Sequence, residues 1–417
     1  MAHPLRSTAP PFSDLLEGNG GVLLLAMGVT LFVGWRVVAH RQALSRLMRD
    51  RDDARAKQCS HVGNPPRLGG VTVVAGLGAG IALGNWSDSR LPLLLLLSAA
   101  PAFLVGLLED CGYPVSALWR LAAAFVSAAL AMIVFGTWVT RGDLPGLDPV
   151  MTVVPVAILL TLMLSAGFCH ATNLVDGMNG LVGAVLISGA AGLSGLAHAA
   201  GEGDLALLTA LLAAAMSGFL LFNWPHGALF MGDAGCYGLG HVLIWIAILL
   251  ADRVPSIAAP AFLLILFWPL ADAMHSILRR LIGGTPIFAP DRLHLHQKMR
   301  RCIEIAVLGG AQRRISNPLA ILVLLPLLAL PVGTGVFLAR HPGLSWLALL
   351  LFGLLFALTH VVITRLALTR RRTLAAAGQK TAWEGNSVGV ALGESKEKVG
   401  GAIYEIPSEP EGQGSSH

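Results

Sequence analysis

Apolar residues are gathered into eleven long runs, at about 21–39, 69–84, 91–108, 117–138, 150–169, 181–199, 205–222, 235–251, 255–278, 318–339 and 344–368. A helix needs roughly 20 such residues to cross a hydrocarbon core. This feature restricts the fold more than any other, because backbone polar groups inside a bilayer must be paired within the protein, which leaves only helices and closed barrels. The runs are continuous rather than alternating, and 3 Tyr with 9 Trp are too few for the aromatic girdles of a barrel. Length alone, 417 residues, would accommodate two or three soluble domains of ~100–200 residues. Charged residues make up only 13% and hydrophobic ones 55%, against roughly 25% charged in ordinary globular chains. So little charge cannot cover soluble surfaces. The expected fold is all-α: a polytopic integral membrane protein of about eleven transmembrane helices. The second and eighth runs are short and Gly-rich, so their ends are the least defined.

Lys and Arg then orient the chain. The segment after the first run carries Arg41, Arg46, Arg49, Arg51, Arg55, Lys57 and Arg67, and that after the ninth carries Arg279, Arg280, Arg292, Lys298, Arg300, Arg301, Arg313 and Arg314. Arg370, Arg371 and Arg372 follow the last run, whereas alternate connections hold only Arg90, Arg141, Arg253 and Arg340. Basic loops stay on the cytoplasmic side, so the N-terminus is expected outside and the C-terminus inside. The same rule explains the net charge of +5 without nucleic acid. The first run has its basic residues behind it, unlike a cleaved signal. Five cysteines without a CxxC pair suggest neither a disulfide framework nor a zinc site. Domain organisation is expected as an external segment at 1–20, a transmembrane domain at 21–368 and a disordered cytoplasmic tail at 369–417, rich in Gly, Ser, Glu and Lys.

With that orientation, the unusual chemistry falls on one face. The segments are His61–Gly70, Gly106–Asp110, Asn173–Gly180, Asn223–Gly235 and Pro290–Gln297. Glu109, Asp110, Asp176 and Asp233 are hard oxygen donors, suited to Mg²⁺ or Mn²⁺ rather than zinc. Gly-rich turns entering helices offer N–H groups and a positive dipole end to phosphate, and Arg67, Arg292 and Lys298 add cationic partners. His294 and His296 point the same way on extended backbone but diverge by about 200° on a helix. Taken singly, each feature has an ordinary explanation. Asp176 or Asp233 could cap a helix, Glu109–Asp110 could be a solvated helix end, and the histidines could be surface residues. Asp272, inside the ninth run, is either functional or paired with a nearby basic residue such as Arg279. The joint, one-sided placement favours a phosphorylated ligand and a divalent cation.

Together these segments resemble the polyprenyl-phosphate N-acetylhexosamine-1-phosphate transferase family, over about residues 21–368. Asn173-Leu-Val-Asp-Gly-Met-Asn-Gly-Leu181, and Asn223 seven before Phe230 in Phe-Met-Gly-Asp-Ala-Gly, carry most of the likeness. The resemblance implies transfer of a sugar 1-phosphate, most readily that of GlcNAc, from a UDP-N-acetylhexosamine to undecaprenyl phosphate, with release of UMP. It implies a Mg²⁺ (or Mn²⁺) site in a bacterial inner membrane, as the initiating step of envelope polysaccharide synthesis; a homodimer is one open assembly. It also implies Asp233 and Asp176 as metal ligands. Asp110, with Glu109, becomes the base or lipid-side acid, and His294 and His296 lie near the phosphates. Asn173, Asp176, Asn179, Asn223, Phe230, Arg67 and Arg292 become substrate-binding, Asn223 and Phe230 holding the uracil. Three positions depart from the family pattern. Glu109 stands for the first aspartate of a pair, Asn179 for the second acid of an Asp-Gly-x-Asp motif, and Gln297 for a final histidine. The histidine segment and the eleven runs suit the GlcNAc branch of the family better than the MurNAc-pentapeptide branch.

Two other classes compete. A transporter of a lipid-linked or nucleotide sugar would place ionisable groups near mid-bilayer on discontinuous helices, whereas these acids sit at the ends of the runs. A non-catalytic assembly partner would account for Glu109 and Asn179. Release of UMP from a UDP-sugar separates the transferase from both.

Overall fold

The computed structural model describes residues 12–47, 65–286, 293–309 and 311–376. Among them lie fifteen helices and no strand. In chain order they are α1 (Phe12–Ala39), α2 (Arg41–Leu47), α3 (Gly69–Leu83), α4 (Arg90–Asp110), α5 (Ala117–Phe135), α6 (Asp148–Met151), α7 (Val154–Val175) and α8 (Leu181–Ala199). There follow α9 (Gly203–Asn223), α10 (Gly232–Arg253), α11 (Ala259–Ile265), α12 (Phe267–Ile282), α13 (Leu295–Ala306), α14 (Arg313–Phe337) and α15 (Pro342–Ala376).

Every apolar run holds a helix, and the chain is an all-α, multi-pass membrane protein. Among the described residues, nine helices are long and apolar enough to cross a membrane. The run at 255–278 is instead the pair α11 and α12, bent by 86°, and makes a tenth span if counted as one. Pro269 accounts for the break: it has no N–H to offer the carbonyl four residues back, and its ring crowds that carbonyl, at Ile265, where α11 stops. The second run is α3, only 15 residues long. Helix α1 already begins at Phe12, within the expected external segment, and α15 continues through Ala376, past the expected boundary. Arg292, the remainder of the 369–417 tail and most of the basic segment after α2 lie outside the described residues.

Helix α10 is the axis of the molecule. Its most apolar window is 94% buried, against 17% for α1 and 22% for α15, which present their side chains outward. It packs on α4, α7 and α3, with α8, α5 and α9 beyond. Small residues at its start permit this. Gly70 of α3 and Gly235 of α10 meet backbone to backbone, and a Cβ on Gly70 would overlap the Gly235 main chain. Without a hydrophobic drive between helices in lipid, such close approach is how spans hold together. As a result, the ends of α4 and α7 and the starts of α3 and α10 converge on one point.

Candidate active site

The point of convergence is the N-terminus of α10, where backbone N–H groups have no partner within the helix. Acids from two other helices take their place. Asp110, the last residue of α4, accepts from the Asp233 N–H at 2.9 Å through Oδ1 and from the Ala234 N–H at 2.8 Å through Oδ2. Asp176, just beyond α7, accepts from the Gly232 N–H at 3.0 Å. Negative charge at this end of a helix is favourable. Gly232 turns the chain into α10 at φ +76°, and a Cβ there would collide with the Arg67 carbonyl and the Asp110 carboxylate. Only glycine lets those groups close on the helix start.

Asp233, in the first turn, points its carboxylate between two arginines. Arg67 Nη2 donates to Oδ1 and Arg120 Nη1 to Oδ2, each at 2.7 Å. Arg67 Nε also lies 3.5 Å from Asp110 Oδ1, and Arg120 Nη1 lies 3.9 Å from Glu109 Oε1. Glu109 Oε2 accepts from the Val115 N–H at 2.9 Å and so fixes the turn after α4. Both arginines keep about a quarter of their side chains exposed, at 29% and 23%, whereas Asp110 is sealed at 0%. Four acids thus face two guanidinium groups, an excess of negative charge that a divalent cation would balance.

Burial pushes the Asp176 carboxyl up to about 7, against the opposing pull of Arg67 and of the Gly232 N–H. Its Oδ1 is buried with no hydrogen-bond partner among the described residues. Among the described residues no three His, Cys, Asp or Glu side chains are already gathered to hold a metal. Mg²⁺, however, commonly takes one or two carboxylates plus substrate phosphates and waters rather than a protein cage. The spare oxygen of Asp176, beside Asp233, fits that mode.

The other sequence-derived residues divide into two groups. Asn173 donates to the Tyr237 hydroxyl at 3.0 Å and borders the carboxylates from α7. Asn223 is fully buried: its Oδ1 accepts from the Gly180 N–H and its Nδ2 donates to the Leu229 carbonyl at 2.8 Å. Phe230 is also buried, at 3% exposure, and its backbone pairs with Pro66 and Gly69. Both therefore knit the loops that frame the site. Asn179 donates from Nδ2 to the Pro225 carbonyl at 2.8 Å.

The histidines form a second cluster. His294 precedes α13 and His296 lies in its first turn, so the change from extended to helical backbone leaves their rings stacked, 5.6 Å apart and 12° from parallel. Both turn to Asp272 on α12: His294 Nδ1 lies 3.0 Å from Oδ2 and His296 Nδ1 lies 3.7 Å from it. A carboxylate only accepts, so Nδ1 of His294 carries the proton of this pair. Asp272 thus takes histidines as partners rather than Arg279. From α15, His360 stacks on His275 at 3.9 Å behind this group.

Sequence reasoning passed over Arg120, Tyr237 and Asn317, which donates from Nδ2 to Asn179 Oδ1 at 3.2 Å. Arg120 did carry a signal, being an arginine inside an apolar run. Tyr237 and Asn317 carried none, since their partners are 64 and 138 residues away.

Fold and site together define a multi-pass membrane protein with a carboxylate–arginine centre at the helix ends around α10. Residues 92–251, which include every one of its acids, match the model of glycosyl transferase family 4. That match, with the relatives that follow, supports placing the chain in this family. It is 28% identical over 236 residues to a probable undecaprenyl-phosphate N-acetylglucosaminyl 1-phosphate transferase of Bacillus subtilis, covering 56% of this chain and 65% of the relative. It is 27% identical over 340 residues to a decaprenyl-phosphate N-acetylglucosaminephosphotransferase of Mycobacterium leprae, covering 74% and 81%. An undecaprenyl-phosphate alpha-N-acetylglucosaminyl 1-phosphate transferase of Salmonella typhi is 26% identical over 368 residues, covering 84% and 92%.

Proposed function

We propose that this chain transfers N-acetylhexosamine 1-phosphate, in the first instance N-acetylglucosamine 1-phosphate, from a UDP-sugar to a membrane polyprenyl phosphate and releases UMP. The observation that carries this reading is Asp233, held between Arg67 and Arg120 at the start of α10 with Asp110 and Asp176 behind it. Relatives named as polyprenyl-phosphate N-acetylglucosaminyl-1-phosphate transferases support it.

The reaction forms a bond between an acceptor phosphate oxygen and the donor's β-phosphorus, the one bonded to the sugar. The bond from that phosphorus to the bridging oxygen breaks, and its electron pair leaves with UMP. Phosphoryl transfer of this kind asks the protein mainly for positioning and charge neutralisation. A phosphate monoester loses its second proton near pH ~6, so at neutral pH the acceptor is already largely ionised and needs little help from a base. Arg67 and Arg120, partly exposed beside the acids, draw the two phosphate groups together. Asp110, sealed and spent on the α10 backbone, fits the role of holding Asp233 in place. Asp176 and Asp233 are the residues that would hold Mg²⁺ (or Mn²⁺), which supplies charge neutralisation on the diphosphate when bound. His294, aimed by Asp272, offers Nε2 to a phosphate oxygen or its proton. Asn173, Asp176 and Asn179 border the nucleotide side, framed by Asn223 and Phe230.

The Lys and Arg asymmetry supports a cytoplasmic site in a bacterial inner membrane, with the N-terminus external, where the reaction would initiate envelope polysaccharide synthesis. Membranes containing the protein should release UMP from UDP-GlcNAc only when polyprenyl phosphate is present. Release without the lipid would replace direct displacement by a covalent intermediate. No release from any UDP-sugar, together with sugar flux across vesicles, would replace the transferase by a transporter.

A further inference from the structure

Asn317 lies in the second turn of α14, 2% exposed, far from every motif of the sequence. Its amide bonds reciprocally with Asn179. The Asn179 backbone N–H donates to Asn317 Oδ1 at 3.2 Å, and Asn317 Nδ2 donates to Asn179 Oδ1 at 3.2 Å. This pairing allows one orientation of each amide. With its Oδ1 occupied by Asn317, Asn179 must turn Nδ2 outward, where it donates to the Pro225 carbonyl at 2.8 Å. A single chain of polarity therefore runs from α14 through the loop between α7 and α8 to the turn after α9.

That chain gives a physical reason for the amide at position 179. An aspartate there could still accept from Asn317, but it has no donor for Pro225, and two acceptors would face each other. Asn317 is itself anchored to the histidine side of the molecule. Its neighbour Ser316 donates to Glu304 Oε1 at 2.8 Å, and Glu304 is paired with Arg300, all on or against α13, the helix that begins beside His294. Asn179 and Asn317 also line a cleft of about 390 Å³ with Pro225, His226, Arg313 and Arg314. Among the described residues its lining contains cationic groups and no acid, a match for an anionic ligand carrying amide-like hydrogen-bonding edges, as a uridine nucleotide does.

We propose that Asn317 is a positioning residue for the nucleotide-sugar donor: it fixes the Asn179 loop and so sets donor affinity, leaving the lipid side untouched. This inference rests on the proposed transferase reaction for the identity of the donor.

The test compares the unmodified protein with Asn317→Ala, Asn179→Asp and the double variant. Asn317→Ala should raise KM for the UDP-sugar about tenfold, with kcat within about twofold and KM for polyprenyl phosphate unchanged. Because the two amides act as one unit, the double variant should cost little more than Asn179→Asp alone. UMP binding, followed by the thermal shift it causes in detergent, should weaken in parallel. If Asn317→Ala does not fold, Asn317→Asp, which keeps the volume but places oxygen against Asn179 Oδ1, replaces it. An unchanged donor KM and UMP affinity, or an equal rise in both substrates' KM, would overturn the proposal. Absence of turnover in the unmodified protein would instead count against the transferase reading, and UMP binding would still decide Asn317.

Discussion

Arg120, one turn into α5, donates to Asp233, in the first turn of α10, at 2.7 Å across 113 positions of sequence. With Arg67 on the other carboxylate oxygen, this pair sets where positive charge stands in the site. Replacing Arg120 by Gln should lower kcat/KM by roughly 10²–10³-fold, the scale of losing one preorganised charge at a phosphoryl centre. Arg120→Lys should fall in between, because the ammonium keeps the charge but not the planar guanidinium that places Nη1 2.7 Å from Asp233. UMP release by equal amounts of folded protein measures both.

Asp110 caps α10 with both oxygens. In Asp110→Asn one oxygen becomes an NH₂ that faces a backbone N–H. The loss should be about 1–2 kcal/mol of stability, as for other helix caps, together with a large fall in activity through a displaced Asp233. A residue acting only as a base would leave the melting temperature alone and lower the rate by roughly 10²–10⁴-fold.

The Asp176 carboxyl is raised by burial to about 7, from 3.8. Between those values the folded protein holds a proton that the unfolded chain has released, so stability falls as pH rises through that window and levels off above about 7. Without divalent cation, thermal unfolding should therefore show a more stable protein at pH 5.5 than at pH 8. Mg²⁺ competes with that proton, so its stabilising effect should be larger at pH 8 than at pH 6, and Asp176→Asn should remove the difference.

Asp272→Asn should leave the chain folded but free the His294 ring, whose Nδ1 it now holds at 3.0 Å. Partners that orient a functional imidazole typically contribute 10–100-fold, and kcat should fall by about that factor. Both KM values should change less, as read from UMP release against each substrate.

A reporter fused after Arg372 should read cytoplasmic, and one placed at 139–149 should read external. Finding both on one side would break the proposed placement of the site.

Much of this protein is written in the order of its residues. Eleven apolar runs sufficed for an all-α membrane protein, because a bilayer leaves the backbone almost no other way to span it. The grouping of Glu109, Asp110, Asp176 and Asp233 followed from the alternation of helix ends once the runs were counted. What the residue order could not specify is which atoms those groups spend on each other. Asn223 reads as a substrate contact and also bonds loop backbone through both amide atoms, Asp272 chooses histidines over Arg279, Arg120 enters the site from a helix without a motif, and Asn317 reaches Asn179 from another. The bend between α11 and α12 was marked by Pro269, but its 86° angle was not. The physical reason is common to all of these. Periodicity and charge asymmetry act along the chain and are local, whereas a buried polar group must find a partner in three dimensions. Which partner is within reach depends on how closely α3, α4 and α7 pack against α10, and glycines such as Gly70 and Gly235 decide that only when the helices have met.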